Sequence, residues 1–326
     1  MTQDGREIDM TRGMDESGLG MPGMTMASMS MPGMPTGSLA TDTAKAQPTV
    51  PQVAQFVRYS GWPELKEALM SGRLKVAMML APMVMDLADK GVPVRIVALG
   101  HRSGAVIMVN KDSPARDFGD LRGKRIAIPS RFAVDHIFVR RLMREHGLGD
   151  RDLTMVEIAP PDMPAALLAG AVDAYATGEP YGAKSEMAGY GRVLYMTRDV
   201  WPKYICCVLT VREELIKSDP ELVQNLVNHV MSAGQWLDSD PKHRTIAARI
   251  ASERSIFNQA FELINWVMER PADRVTYGDL RLIRTEFDEM MRLAMNAKII
   301  NHPIPYETYV DESFMRRFRP VSISIQ

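Results

Sequence analysis

The chain reads as an α/β protein: two successive runs of alternating strand and helix, closed by a long helical block. Three observations predict this. Short apolar strands alternate with short helices between Gln55 and Leu99 and again between Gly123 and Gly182. Pro, Gly and capping residues punctuate the ends of these segments, as strand–helix units require. From Arg212 to Phe318 the apolar spacing turns almost wholly helical.

Globular sequence starts near Val53. Gln55–Tyr59 is expected as a strand, then Trp62–Met70 as a helix with Pro63 in its first turn and Gly72 at its end. Val76–Leu80 is a strand leading through Ala81-Pro82 into a helix that stops at Asp89 before Gly91, and Val94–Leu99 is a further strand. After His101-Arg102-Ser103-Gly104, the strand Ala105–Val109 and a polar loop to Asp120 mark a first crossing between lobes.

The second run begins with the strand at Lys124–Ile128, which stops at Pro129 with Ser130 placed as a helix N-cap. Phe132, Ile137, Val139, Leu142 and Met143 follow on one helix side, and Gly147 stops it. Leu153–Ile158 is a strand, Asp162 caps a short helix from Met163 to Ala169, and Val172–Thr177 runs into Gly178-Glu179-Pro180-Tyr181-Gly182. A strand at Arg192–Met196 precedes the return crossing, Ile205–Val211. Helices are then expected at about 219–238, 241–252, 256–268 and 280–296, with a short one near 311–318.

Such alternation argues for parallel-rich sheets, in which ligands bind beyond the carboxyl ends of the strands. Those ends are the turns at Ser130, Asp162 and Glu179. Free N–H groups and partial positive charge at a helix N-terminus make Ser130-Arg131 an anion site. The same residues also read as ordinary caps, and Glu179 as a solvated loop residue.

At 326 residues, 46% apolar and 24% charged, the chain is globular and long enough for two domains. Thirty-nine basic against forty acidic residues leave a net charge of −1, which gives no electrostatic argument for nucleic acid or an anionic membrane. No run approaches the ~18–20 apolar residues of a membrane span, and Met1–Gly13 is polar, without the apolar region of a signal peptide. The two cysteines are adjacent, Cys206-Cys207, in an apolar run. Neighbours on a strand point to opposite faces, so they are expected as buried thiols without a structural disulfide, the alternative being a redox or metal role.

Residues 1 to about 48 are rich in Gly, Pro, Ser and Thr and hold nine of the 26 methionines. Disorder is expected for 1–52, since this composition buries too little surface to offset chain entropy. Met21, Met24, Met26, Met29, Met31 and Met34 are weak Cu(I) candidates, because thioethers are soft ligands; no other metal site is expected.

The combination Ser60-Gly61-Trp62-Pro63-Glu64-Leu65, Leu80-Ala81-Pro82, Asp120-Leu121-Arg122-Gly123-Lys124, Ala159-Pro160-Pro161-Asp162, Ala169-Gly170-Ala171-Val172-Asp173-Ala174 and Gly178-Glu179-Pro180 resembles the substrate-binding proteins of nitrate, bicarbonate, sulfonate and taurine ABC importers, the nitrate/bicarbonate branch above all. The resemblance covers roughly Gln55–Phe318. It implies a two-lobed type II periplasmic-binding-protein fold, with lobe I at 53–103 and 206–326 and lobe II at 104–205. Carried over by position, it implies a cleft lined by Trp62, Leu80 and Pro82 on one side and by Ser130, Arg131, Asp135, His136, Glu179 and Tyr181 on the other.

The implied function is capture of a small polar solute, an oxoanion such as nitrate or bicarbonate, for an ABC permease, without catalysis or cofactor. A cytosolic sensor of the same fold acting on a regulatory protein is the alternative; a thiamin-pyrimidine-synthase-like enzyme lacks support, since the cysteine-rich motif and active-site histidines of those enzymes are not found. Location is periplasmic if a signal peptide precedes this sequence and cytoplasmic as it stands. Two departures stand out. Asp135 takes the place of a neutral polar residue, and a carboxylate repels an oxoanion unless protonated or paired. The family's first strand and helix are replaced by the Met-rich segment, so the first sheet is expected to be incomplete or filled by another segment such as Val321–Gln326, which alternates like a strand.

Overall fold

Two larger sheets, a two-stranded one and a helical block make up the computed structural model, which describes residues 57–202, 204–254 and 256–325. The candidate copper ligands Met21, Met24, Met26, Met29, Met31 and Met34 lie outside them. Residues 1–57 and 58–326 separate as two units; every helix, strand and site described below belongs to the second.

The chain runs α1 (Trp62–Met70), β1 (Val76–Leu80), α2 (Ala81–Asp89) and β2 (Val94–Leu99). It continues through β3 (Arg102–Ser103), β4 (Ala105–Asn110), β5 (Lys124–Ile128), α3 (Val134–Glu145), β6 (Leu153–Glu157), α4 (Met163–Leu168), β7 (Ala174–Gly178), α5 (Tyr181–Met187) and β8 (Gly191–Met196). Past α6 (Thr197–Val200), β9 (Cys207–Arg212) brings it back. The helical block is α7 (Glu213–Ser218), α8 (Pro220–Ser239), α9 (Pro241–Ser252) and α10 (Phe261–Glu269), then β10 (Val275–Thr276), α11 (Arg284–Asn296), α12 (Tyr306–Tyr309) and α13 (Ser313–Arg316).

Most elements fall where their residues place them. The boundaries of α8 and α9 follow from chemistry: Asp219 and Asp240 each accept a backbone N–H of the first turn, from Leu222 and Lys242, with Pro220 and Pro241 next in line. Four expectations fail. Asp162 stands at the N-cap of α4, but its side chain makes no capping bond there. Of the strand expected at Gln55–Tyr59, residues 55 and 56 lie outside the described residues, and Val57–Tyr59 forms no strand. Ser130 does not cap α3, because a turn through Ser130–Ala133 intervenes and the helix starts at Val134 with Ala133 at its N-cap. The Ser130 hydroxyl instead accepts the Phe132 N–H at 3.2 Å. Val321–Ile325 is not a strand either; Val321 N–H donates to Ser232 Oγ of α8 at 3.0 Å.

The smaller sheet has the order β1-β9-β2 and the larger β6-β5-β7-β4-β8, while β10 pairs with β3. β5 pairs in parallel with β6 and with β7, as strand–helix–strand units demand. The strands at the two crossings enter antiparallel: the returning β9 between β1 and β2, and the outgoing β4 between β7 and β8. Among the described residues β1 has one neighbour only, and Met78 on it is 43% exposed. α2 buries seven of its residues, Ala81 to Met85, Leu87 and Ala88, in the core that it shares with β2 and β9. Arg212 at the end of β9 donates to the carbonyls of Leu69 and Met70, closing the C-terminus of α1 against the sheet.

Candidate functional site

Four segments converge where the chain passes between its sheets. The outgoing segment, Gly100–Gly104, is bonded to the returning one: Gly100 N–H donates to the Cys207 carbonyl at 2.7 Å and Ser103 N–H to the Tyr204 carbonyl at 3.3 Å. β10 pairs with the outgoing segment through Val275 and Ser103. The turn after β7 joins them, Glu179 N–H donating to the Gly104 carbonyl at 2.8 Å. Gly104 is needed here. Its φ is 85°, and a Cβ would stand 2.9 Å from Val275 Cγ2. Arg102 anchors the outgoing segment to the helical block through an ion pair to Glu286 of α11 at 2.7 Å, both side chains being buried.

Beside this junction lies a cavity of about 260 Å³. Arg58, His101, Glu179, Tyr181, Gln259 and Tyr277 are the polar residues of its lining, and Ile264, Val267 and Met268 of α10 supply an apolar wall. Its volume suits a small solute, since drug-sized ligands occupy about 300–1,000 Å³.

Glu179 is held from three directions. Arg274, 1% exposed, donates Nε–H to Glu179 Oε1 at 2.6 Å and pairs with Glu186 of α5 at 2.8 Å. The other Glu179 oxygen accepts the Ala183 N–H at 2.9 Å, so this side chain caps α5. Burial pushes the Glu179 carboxyl above its ordinary range, against the pull of Arg274. Gly182 leaves room for this arrangement, because a Cβ there would meet Val106 Cγ2 at 2.4 Å and Glu179 Oε1 at 2.9 Å.

Of the residues expected to line a cleft, the structure brings Glu179 and Tyr181 together on this cavity. The others stand elsewhere. Leu80 and Pro82 are buried in the core, and Trp62 packs half-buried against it. Arg131 is exposed, over the Phe132 ring at 5.0 Å. His136 is saturated by its own helix end: Nδ1–H donates to the Arg131 carbonyl at 2.8 Å, and Nε2 accepts from Arg140 Nε at 3.2 Å. Asp135 is buried and accepts the Tyr204 hydroxyl at 3.3 Å. Burial pushes its carboxyl up to about 6, so the repulsion expected of an ordinary carboxylate is weakened in this setting.

Sequence reasoning missed Arg274, Tyr277 and His101. No local pattern marks Arg274, which reads as one more charge between two helices. The cysteines carried a signal, but its geometry was misjudged. Cys206 precedes β9 rather than lying in it, so strand alternation does not apply, and the two Sγ atoms stand 3.9 Å apart as free thiols. His101 completes a group with them. The Cys206 thiol beside it, together with His101, pulls the Cys207 thiol below its ordinary range against the effect of burial.

Comparison with known proteins places this architecture. The nitrate/nitrite binding protein NrtA of Nostoc sp. is 24% identical over 277 residues, 78% of this chain and 61% of that protein. This chain therefore spans about three fifths of that relative's length. Among solved structures, the ligand-binding component of an ABC-type import system from Staphylococcus aureus, with zinc bound, is 27% identical, covers 81% of this chain and 88% of its own, and superposes with a TM-score of 0.73. The periplasmic nitrate-binding protein NrtA from Synechocystis PCC 6803, 17% identical and covering 79% of this chain and 78% of its own, has the same fold with a TM-score of 0.71. The fold is that of the periplasmic binding proteins. Residues 49–252 match the NMT1-like family over more than half of the sequence, and the chain belongs to that family.

Proposed function

We infer that this chain is the solute-binding component of an ABC importer, that it acts by binding rather than catalysis, and that it works in the periplasm. Its solute is a small oxoanion of the nitrate or bicarbonate kind. Two lobes, 53–103 with 206–326 and 104–205, meet at the paired crossing segments, and the solute enters the cavity beside them. Membership of the NMT1-like family and the likeness to an import component at 27% identity support this reading. No helix among the described residues is long and apolar enough to cross a membrane; the reading pairs this chain with an ABC permease.

The observation that carries the proposal is the cavity's polar lining. Arg58 and His101 offer cationic or donor groups, Tyr181 and Tyr277 hydroxyls, and Glu179 is already neutralised by Arg274. Donors outnumber free acceptors on these walls, which favours an anion. Calorimetry of the purified chain with nitrate, nitrite, bicarbonate and a short alkanesulfonate tests this. Tyr181→Phe should weaken the preferred anion about tenfold, roughly the 1.4 kcal/mol of one lost hydrogen bond. If Trp62→Ala weakens it as much while Tyr181→Phe does not, the solute lies outside this cavity and the reading fails.

A further inference from the structure

His101 comes from the outgoing segment, Cys206 and Cys207 from the returning one, and their donor atoms all lie within 4.8 Å of one another. Two features set this group apart from ordinary buried thiols. The sulfurs approach to 3.9 Å without a bond between them, far beyond the ~2.05 Å of a disulfide. A thiol–thiol contact accounts for that spacing in the metal-free chain, and it also matches an ion: four-coordinate zinc with Zn–S of about 2.3 Å holds two thiolates about 3.8 Å apart. His101 Nδ1 is moreover buried and without a hydrogen-bond partner, an uncommon state for a ring nitrogen.

We propose that His101, Cys206 and Cys207 bind a thiophilic metal ion, Zn²⁺ or Cu⁺, at the junction of the two crossing segments. Two thiolates and a neutral imidazole neutralise Zn²⁺ completely, so the assembled group suits a largely buried place where an unpaired charge is costly. Soft sulfur donors select the same ions against Mg²⁺ or Ca²⁺. Three protein ligands leave a fourth position for water or for a group of the solute, and His101 lines the 260 Å³ cavity. An ion held here bridges the two segments that already exchange backbone bonds, and so ties together the passages between the sheets. The inference holds whatever solute the cavity takes.

The test uses the full chain under reducing conditions, with Co²⁺ as the spectroscopic substitute for Zn²⁺ and Cu⁺ in a separate arm against a competing chelator. One equivalent of Co²⁺ should give the intense thiolate-to-cobalt absorption and be displaced by Zn²⁺. His101→Gln should weaken binding beyond the 10- to 100-fold that loss of an outer-shell partner costs, and Cys206→Ser with Cys207→Ser should abolish the absorption. In the Cu⁺ arm, replacing Met21, Met24, Met26, Met29, Met31 and Met34 by Leu separates thioether binding from this site; copper retained by that variant supports the proposal. Because the double cysteine variant could fail to fold, the unaltered chain supplies a second readout: a stoichiometric ion should slow alkylation of both thiols. The proposal is overturned if neither ion protects the thiols, or if metal absorption survives the double cysteine replacement in a folded protein.

Discussion

Arg274 Nε donates to Glu179 Oε1 at 2.6 Å, joining the helical block to the turn after β7 across 95 residues of sequence. Both side chains are almost fully buried. Removing one partner of such a pair strands the other in a low-dielectric place, which costs about 3–5 kcal/mol. Arg274→Met should therefore lower the unfolding free energy measured in urea by about 3–5 kcal/mol, as a lower midpoint with an unchanged slope. A loss under about 1 kcal/mol would show that Glu179 finds other partners.

His136 makes stability depend on pH. Burial holds its pKa below the ordinary 6.5, and both ring nitrogens are engaged only while it is neutral. The unfolded chain then takes up the proton first, so the stabilisation is complete above pH ~6.5 and is lost as pH falls through the lower folded value. Unfolding free energy measured from pH 7.5 down to 5 should fall more for the natural chain than for His136→Gln. Parallel curves would assign the acid sensitivity to other groups.

Among the described residues β1 lies at the edge of a three-stranded sheet, whereas β5 is paired on both sides. Unpaired edge groups open to water at lower cost than ladder bonds inside a sheet. Amide exchange should be faster across Val76–Leu80 than across Arg125–Ile128. Deleting residues 321–326 should leave that difference unchanged, because Val321 is bonded to α8 and not to β1. Exchange in β1 that accelerates on this deletion would contradict the arrangement.

Gly234 offers a contest between two effects. It lies inside α8, where Ala is favoured over Gly by about 1 kcal/mol. A Cβ would stand 2.2 Å from the Tyr277 carbonyl oxygen and 2.8 Å from Leu280 Cδ1, and overpacking against backbone costs about 1–3 kcal/mol. Crowding should win. Gly234→Ala is expected to lower the melting temperature and disturb Tyr277 on the cavity wall, which Tyr fluorescence and calorimetry can follow; a raised melting temperature would show that the loop carrying Tyr277 yields freely.

The sequence alone determined the order of strands and helices, because that order is written in local chemistry: Pro and Gly at turns, Asp219 and Asp240 before proline, and alternating or 3.6-residue apolar spacing within each element. It also carried the family, through motifs spread from Ser60 to Pro180. What it left open was every pairing between distant residues. Asp135 looked like a charge facing a ligand, and the fold covers it beside Tyr204. Glu179 looked like a free loop carboxylate, and Arg274 closes on it from the helical block. Cys206 and Cys207 looked like two faces of a strand starting at Ile205, and the strand starts only at Cys207, with the two sulfurs 3.9 Å apart beside His101. Local periodicity reaches only a turn or two along the chain, whereas burial, neutralisation and convergence of donors depend on which segments the fold packs against one another, and that only the tertiary structure decides.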